Sequence, residues 1–144
     1  MTQIRDIMTK DVETCSLKDN VYEVAVKMKE ENVGVIPIVD GQRLAGVITD
    51  RDIVLRCIAE KHPPSSKVEE VMSSNLVTVS PDTTTQEAAR LMAKEQIRRL
   101  PVVENGQLVG IVALGDLAVR DLTDNQAKAA LSEISEPSDE QTFH

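Results

Sequence analysis

Residues 46–52, Gly-Val-Ile-Thr-Asp-Arg-Asp, run from an apolar strand pattern into a helix start. A helix N-terminus presents unpaired N–H groups and partial positive charge, which suit a phosphate. The Thr49 hydroxyl adds one more donor there. The Asp52 carboxylate accepts from two donors at once, which matches the 2′ and 3′ hydroxyls of a ribose. Each residue alone also fits a plainer role, Thr49 as a helix cap and Asp52 as a complement to the helix dipole. Arg98 and Arg99 stand directly before a second apolar strand pattern. Two planar, permanent cations suit a phosphate, and surface ion pairs are their ordinary alternative.

Other chemistries find little support. The two histidines are His62, inside a Pro-rich run, and His144, the last residue. No Ser/His/Asp or Cys/His set can be assembled, and no HExxH, EF-hand or Walker A sequence occurs. Many carboxylates are present, but none has a visible reason for a shifted pKa. The chain is therefore expected not to be an enzyme. Cys15 and Cys57 have no metal or redox spacing and sit in apolar runs, so both are expected to be buried free thiols. No metal site is expected.

The net charge is −8, and the five acids and one base beyond residue 122 supply half of it. That balance argues against general nucleic-acid binding and against an anionic membrane surface. Aromatic residues make up 1% of the chain, so base stacking on aromatic platforms is nearly excluded and the core must be aliphatic. No signal peptide, membrane span or lipidation motif is visible, which leads us to expect a soluble protein of the cytoplasm.

The elements that position these residues come in two sets. Residues 4–58 align with 68–122 at a constant offset of 64, without a gap. Thirteen pairs are identical, among them Met8/Met72, Pro37/Pro101, Gly46/Gly110, Asp52/Asp116 and Arg56/Arg120. Chance would give roughly three or four at ordinary composition. Each copy reads β-α-β-β-α. A short strand at Val12–Cys15 (Leu76–Val79 in the second copy) leads to a helix opened by Asn20 with Glu23, or Thr84 with Glu87, both capping-box pairs. The buried stripes are Val21, Val24, Ala25 and Met28, and Thr85, Ala88, Ala89 and Met92. Val35–Val39 turns into Leu44–Ile48 through Asp40-Gly41, and Leu100–Val103 into Leu108–Val112 through Asn105-Gly106. The displaced glycine predicts different turn types. Pro37 and Pro101 are expected at a strand start or edge. The second helices start near Asp50 and Gly115, with Ile53, Cys57 and Ile58, or Leu117 and Leu122, as apolar positions. We divide the chain into a first unit at 1–59, a linker at 60–67 and a second unit at 68–122. A helical extension at 123–136 and a disordered tail at 137–144 follow.

Two tandem units of this kind resemble a CBS-domain pair, or Bateman module, over about residues 3–122. The matching stretches are Asp6-Ile7-Met8, Val77-Thr78-Val79-Ser80-Pro81-Asp82, Arg98-Arg99-Leu100-Pro101-Val102-Val103 and Gly46-Val47-Ile48-Thr49-Asp50-Arg51-Asp52. The resemblance implies an α+β (α/β) fold of two CBS units packed as a pseudo-twofold pair. It implies regulatory sensing of an adenosyl ligand (AMP, ADP, ATP or S-adenosylmethionine) in clefts between the units, and a disc-like homodimer read by an unknown effector protein. No obligatory cofactor is implied.

The resemblance also implies that basic residues of one copy serve the acid of the other. Arg98 and Arg99 then join Thr49 and Asp52 on a phosphate and ribose. Val47, Leu76, Val77 and Pro101 line an adenine slot, although each also suits plain core. The second cleft, around Asp116, Ile111, Val12, Val35 and Pro37, departs from the pattern. Ala113 replaces the hydroxyl, and Gly34 and Val35 replace the arginines. It is expected to bind weakly, take an uncharged adenosine portion, or stay empty. A ligand-free scaffold and a sensor of S-adenosylmethionine or NAD are the alternatives, and an enzyme subunit that lost or never carried a catalytic domain in this chain is a third.

Overall fold

The computed structural model describes residues 2–120, as two compact units of mixed α+β structure. The expected helix at 123–136 and tail at 137–144 lie outside the described residues. The contacts group the chain across the two repeats. One unit comprises Glu13–Leu76 with Gly106–Leu108; the other comprises Met1–Val12, Val77–Asn105 and the chain from Val109. Each repeat thus contributes its leading segment to the unit built on the other repeat.

In the unit built on the first repeat, β1 (Cys15–Ser16) runs parallel to β2 (Val35–Asp40), which pairs antiparallel with β3 (Arg43–Thr49). Helix α1 (Val21–Glu31) links β1 to β2. Helix α2 (Asp50–Asp52) follows β3 and continues as a π-helical segment, Ile53–Ile58. The core joins Val24, Met28, Ile36, Ile38, Ile48 and Cys57 to Val68 and Val71 of the second repeat's leading 3-10 turn.

The other unit repeats this plan with α3 (Thr85–Glu95), β4 (Arg99–Glu104), β5 (Gln107–Ala113) and α4 (Leu114–Arg120). Ile4 fills the place that Val68 fills in its twin, packed with Ala88, Ala89, Met92, Leu100, Val102 and Val112. The Ile4 N–H donates to the Thr83 carbonyl at 2.8 Å, and the Thr9 N–H to Ile111 at 2.8 Å.

Local signals form as expected where the partners are close in sequence. Asn20 with Glu23 and Thr84 with Glu87 make reciprocal capping boxes. The stripes are buried, apart from a half-buried Ala25. Thr85 is buried as well, and its hydroxyl has no hydrogen-bond partner among the described residues. Both cysteines are free and buried. Gly41 alone has positive φ in its turn, whereas Asn105 and Gly106 both do, so the two hairpin turns do differ in type.

Three expectations are corrected. The first strand of each copy is shorter: Cys15–Ser16 in one, and in the other a single parallel bridge from Val79 to Val102. The following turn takes the strand's donors, with Asp19 accepting from the Ser16 N–H and Thr83 from the Ser80 N–H. Pro37 lies inside β2 rather than at its start or edge. Its partner Val47 exchanges both backbone bonds with Ser73, so nothing on β3 asks Pro37 for a donor. Ile58 is 59% exposed and not a core position, because the wider π turn brings Cys57 inward instead.

The leading segments fit because β3 and β5 carry a glycine where they cross. A Cβ on Gly46 would stand 2.8 Å from the Ser73 carbonyl oxygen and 2.7 Å from the Met72 sulfur. On Gly110 it would stand 2.9 Å from the Thr9 oxygen and 2.8 Å from the Met8 sulfur. The Met8/Met72 and Gly46/Gly110 identities are therefore two halves of one contact. Gly46→Ala is expected to cost about 1–3 kcal/mol, the usual overpacking range, because a backbone oxygen cannot yield as a side chain does. Chemical denaturation would check this, and an unchanged midpoint would refute the contact.

Candidate functional site

The strand-to-helix junction of the first repeat is a reciprocal pair. The Thr49 N–H donates to Asp52 Oδ2 at 2.9 Å, and the Asp52 N–H donates to Thr49 Oγ1 at 3.0 Å. This box fixes both side chains at the helix start. The helix-cap role that each residue suits by itself is therefore present. It uses only part of the carboxylate, because Oδ1 has no hydrogen bond among the described residues. The Thr49 hydroxyl proton is likewise not spent on the cap, where its oxygen is the acceptor. Both side chains are half-buried.

Beta pairing places more of the expected residues around this junction. Val35 pairs with Thr49, and Pro37 with Val47. Pro37 is buried; Val35, Val47 and Leu76 are half-buried. The Asp50 N–H donates to the Gly34 carbonyl at 2.9 Å, closing the strand start against the helix start.

The second repeat builds the same junction with one part missing. The Ala113 N–H donates to Asp116 Oδ2 at 3.2 Å, and with no hydroxyl on Ala113 the box is one-sided. The Leu114 N–H donates to the Arg98 carbonyl at 2.8 Å, the counterpart of the Asp50–Gly34 bond. A half-buried Arg98 and an exposed Arg99 thus lie at the start of β4, beside the helix start. Pro101 is buried, and Val12, Val77, Ile111 and Asp116 are half-buried.

The expected site residues therefore fall into two groups. Val35, Pro37, Val47, Thr49, Asp52 and Leu76 belong to one unit; Val12, Val77, Arg98, Arg99, Pro101, Ile111 and Asp116 belong to the other. Depressions inside the units lie elsewhere. One of about 310 Å³ is lined by Thr14, Cys15, Asp19 and Glu23, and one of about 430 Å³ by the equivalent Thr78, Val79, Thr83 and Glu87. Neither holds a residue of the two junctions. Burial first, then the charge of Asp19, pushes the Cys15 thiol up to about 11, so this thiol stays protonated and unreactive near neutral pH. Hydrogen bonds from Thr84 lower the Glu87 carboxyl. Among the described residues, no cluster of His, Cys, Asp and Glu could hold a metal ion, and no helix is long and apolar enough to cross a membrane.

Residues 1–11 read from the sequence as an entry segment with Ile4, Ile7 and Met8 as apolar contacts, and all three pack in a core; sequence reasoning missed that the leading segment of each repeat completes the unit built on the other repeat. The signal was available in Gly46 and Gly110, since a glycine repeated inside a strand marks a close backbone approach.

The family model for the CBS domain matches residues 4–58 and 68–122, the same two stretches as the internal repeat. The chain belongs to the CBS-domain family. The uncharacterized protein YlbB of Bacillus subtilis is 51% identical over 138 residues, covering 94% of this chain and 93% of that protein. Among solved structures, the CBS domain pair of protein MJ0100, in complex with 5′-methylthioadenosine and S-adenosyl-L-methionine, is 30% identical with a TM-score of 0.74. It covers 83% of this chain and 95% of that one. CBSX2 in complex with AMP is 27% identical with a TM-score of 0.75, covering 85% and 97%. The two CBS repeats of this chain therefore have one complete junction, Thr49 with Asp52, and one reduced junction at Asp116.

Proposed function

We propose that this CBS pair is a cytoplasmic regulatory module that binds an adenosine nucleotide (AMP, ADP or ATP) and acts as a homodimer. The nucleotide sits in a cleft to which both repeats contribute. Thr49 and the helix start hold a phosphate, Arg98 and Arg99 neutralise it, and the Asp52 carboxylate accepts from the ribose hydroxyls. Val47, Leu76, Val77 and Pro101 line the adenine. The cleft around Asp116, Ile111, Val12, Val35 and Pro37 binds weakly or stays empty. Binding favours one placement of the two repeats, which an effector protein reads. No cofactor is obligatory, and nucleic acid and membranes are not partners.

The observation that carries this reading is the Asp52 carboxylate, held by the Thr49 N–H through one oxygen while the other has no hydrogen bond among the described residues. CBSX2 binds AMP, and the MJ0100 pair binds adenosyl compounds, which supports the ligand class. Titration calorimetry with AMP, ADP, ATP, S-adenosylmethionine and NAD tests it. One strong site per chain for an adenosine phosphate is expected. At about 100 times its dissociation constant the ligand adds about 2.7 kcal/mol of stability, worth roughly 2–8 °C of melting temperature per kcal/mol. Two equal sites would refute the asymmetry. Silence towards all five ligands would favour a constitutive scaffold, and a response confined to S-adenosylmethionine or NAD would replace the nucleotide.

A further inference from the structure

We propose that Arg56 is a positioning residue for the nucleotide: it fixes the Val47 and Leu76 side of the base slot relative to Asp52. The proposal deepens the reading of the preceding section and rests on it. Arg56 stands four residues after Asp52, in the π-helical segment that continues α2. Its Nη1 donates to the Val71 carbonyl at 3.2 Å and to the Met72 carbonyl at 3.3 Å. That nitrogen carries two N–H groups, so each carbonyl takes its own. Neither oxygen accepts from a backbone N–H among the described residues. Val71 and Met72 leave the 3-10 turn Val68–Glu70, and a cation suits the last carbonyls of such a turn. Among the described residues Arg56 makes no ion pair, so the two carbonyls are what holds it.

The segment beyond those carbonyls gives the contact its role. Ser73 comes next and exchanges both backbone bonds with Val47, at 2.9 and 3.0 Å. Leu76 follows three residues later and is half-buried. The Val71 side chain is fully buried in the core. Its burial fixes the depth of the segment but not its slide along the helix, because apolar contact is non-directional. Arg56 supplies the directional contact. The helix that starts at Asp52 and the segment that carries Leu76 then move as one body. The junction itself does not need Arg56, since Thr49 and Asp52 bond each other in both directions. Loss of Arg56 therefore loosens the base wall and spares the groups for phosphate and ribose. Groups held in place before binding lose less freedom when the ligand arrives. The same residue type recurs at Arg120, at the offset of 64.

The test is titration calorimetry of the full chain with AMP and with ribose 5-phosphate, which has no base. Arg56→Met keeps the apolar stem and removes the donors. Arg56→Lys keeps a nitrogen with enough N–H groups for both carbonyls. Arg56 is exposed, so both variants leave the core intact. Arg56→Met is expected to weaken AMP about tenfold, as for one or two net hydrogen bonds, and to leave ribose 5-phosphate within about twofold. Arg56→Lys is expected to recover most of the loss. Removing a positive charge, or loosening the whole fold, would weaken both ligands alike, so the split isolates positioning. Amide hydrogen exchange without ligand gives a second readout. The Val47 and Ser73 amides are expected to exchange roughly tenfold faster in Arg56→Met, with those of α1 unchanged. An AMP affinity unmoved by Arg56→Met overturns the proposal while the nucleotide reading stands. Equal losses for both ligands overturn it too, as do unchanged Val47 and Ser73 amides. A parent that binds neither ligand overturns the nucleotide reading itself, and the positioning role with it.

Discussion

Replacing Asp52 by alanine is expected to reduce AMP affinity by about 100-fold, read by titration calorimetry. A hydrogen bond to a charged group contributes about 1.5–3 kcal/mol, and in the proposed site two ribose hydroxyls share this carboxylate. Half of the larger total, about 3 kcal/mol, already corresponds to roughly a hundredfold. Thr49→Ala copies the condition of Ala113 and removes one neutral donor, so a loss of several-fold is expected, about 1 kcal/mol. Asp116→Ala should leave the strong site as it is. Asp52 also accepts from the Thr49 N–H at 2.9 Å, so its removal weakens the helix start by about 1 kcal/mol. Titrations belong well below the melting temperature of the variant. If Asp52→Ala bound AMP as tightly as the parent, the site assignment would fail.

Replacing Ile4 by alanine is expected to destabilise the protein by about 2–5 kcal/mol, as for an aliphatic residue lost from a packed core. Ile4 has no solvent exposure and touches the core of the unit built on the second repeat. Its backbone N–H is also tied to the Thr83 carbonyl at 2.8 Å. At roughly 2–8 °C per kcal/mol, calorimetry should show a fall on the order of 10 °C. An N-terminal arm without fixed contacts would give a change within about 0.5 kcal/mol. That small result would show that the leading segment does not complete the unit.

The parts of this protein that could be read from the sequence depend on residues close together in the chain. A capping box needs partners three residues apart, so Asn20 with Glu23 and Thr84 with Glu87 were readable. Hairpin turns depend on two residues, and the one-position shift between Gly41 and Gly106 foretold their difference. The duplicated aliphatic pattern specified two similar cores, and both thiols, set in apolar runs of the first repeat, lie inside one of them. Around the candidate site, the sequence named Thr49 and Asp52 and the loss at Ala113. It did not show that Thr49 and Asp52 bond each other in both directions, because a cap and a ligand contact call for the same residue types.

What only the folded chain decided is the set of choices made between segments far apart. Ile4 and Val68 occupy equivalent places in the repeat, yet each packs in the core of the other repeat's unit. Nothing near either residue states this, because burial free energy is non-directional and rewards any apolar neighbour equally. Geometry settled it through Gly46 and Gly110, where the backbones of Ser73 and Thr9 come too close for a Cβ. Pro37 is tolerated within β2 because Val47 directs its backbone bonds to Ser73. The helices after β3 and β5 have matching positions, but one continues as a π-helix with Ile58 turned out to solvent. The sequence determined that there are two like units and which residue types stand at their junctions. Tertiary packing decided which segments complete each unit, because close backbone approach is a property of three-dimensional fit that residue spacing does not encode.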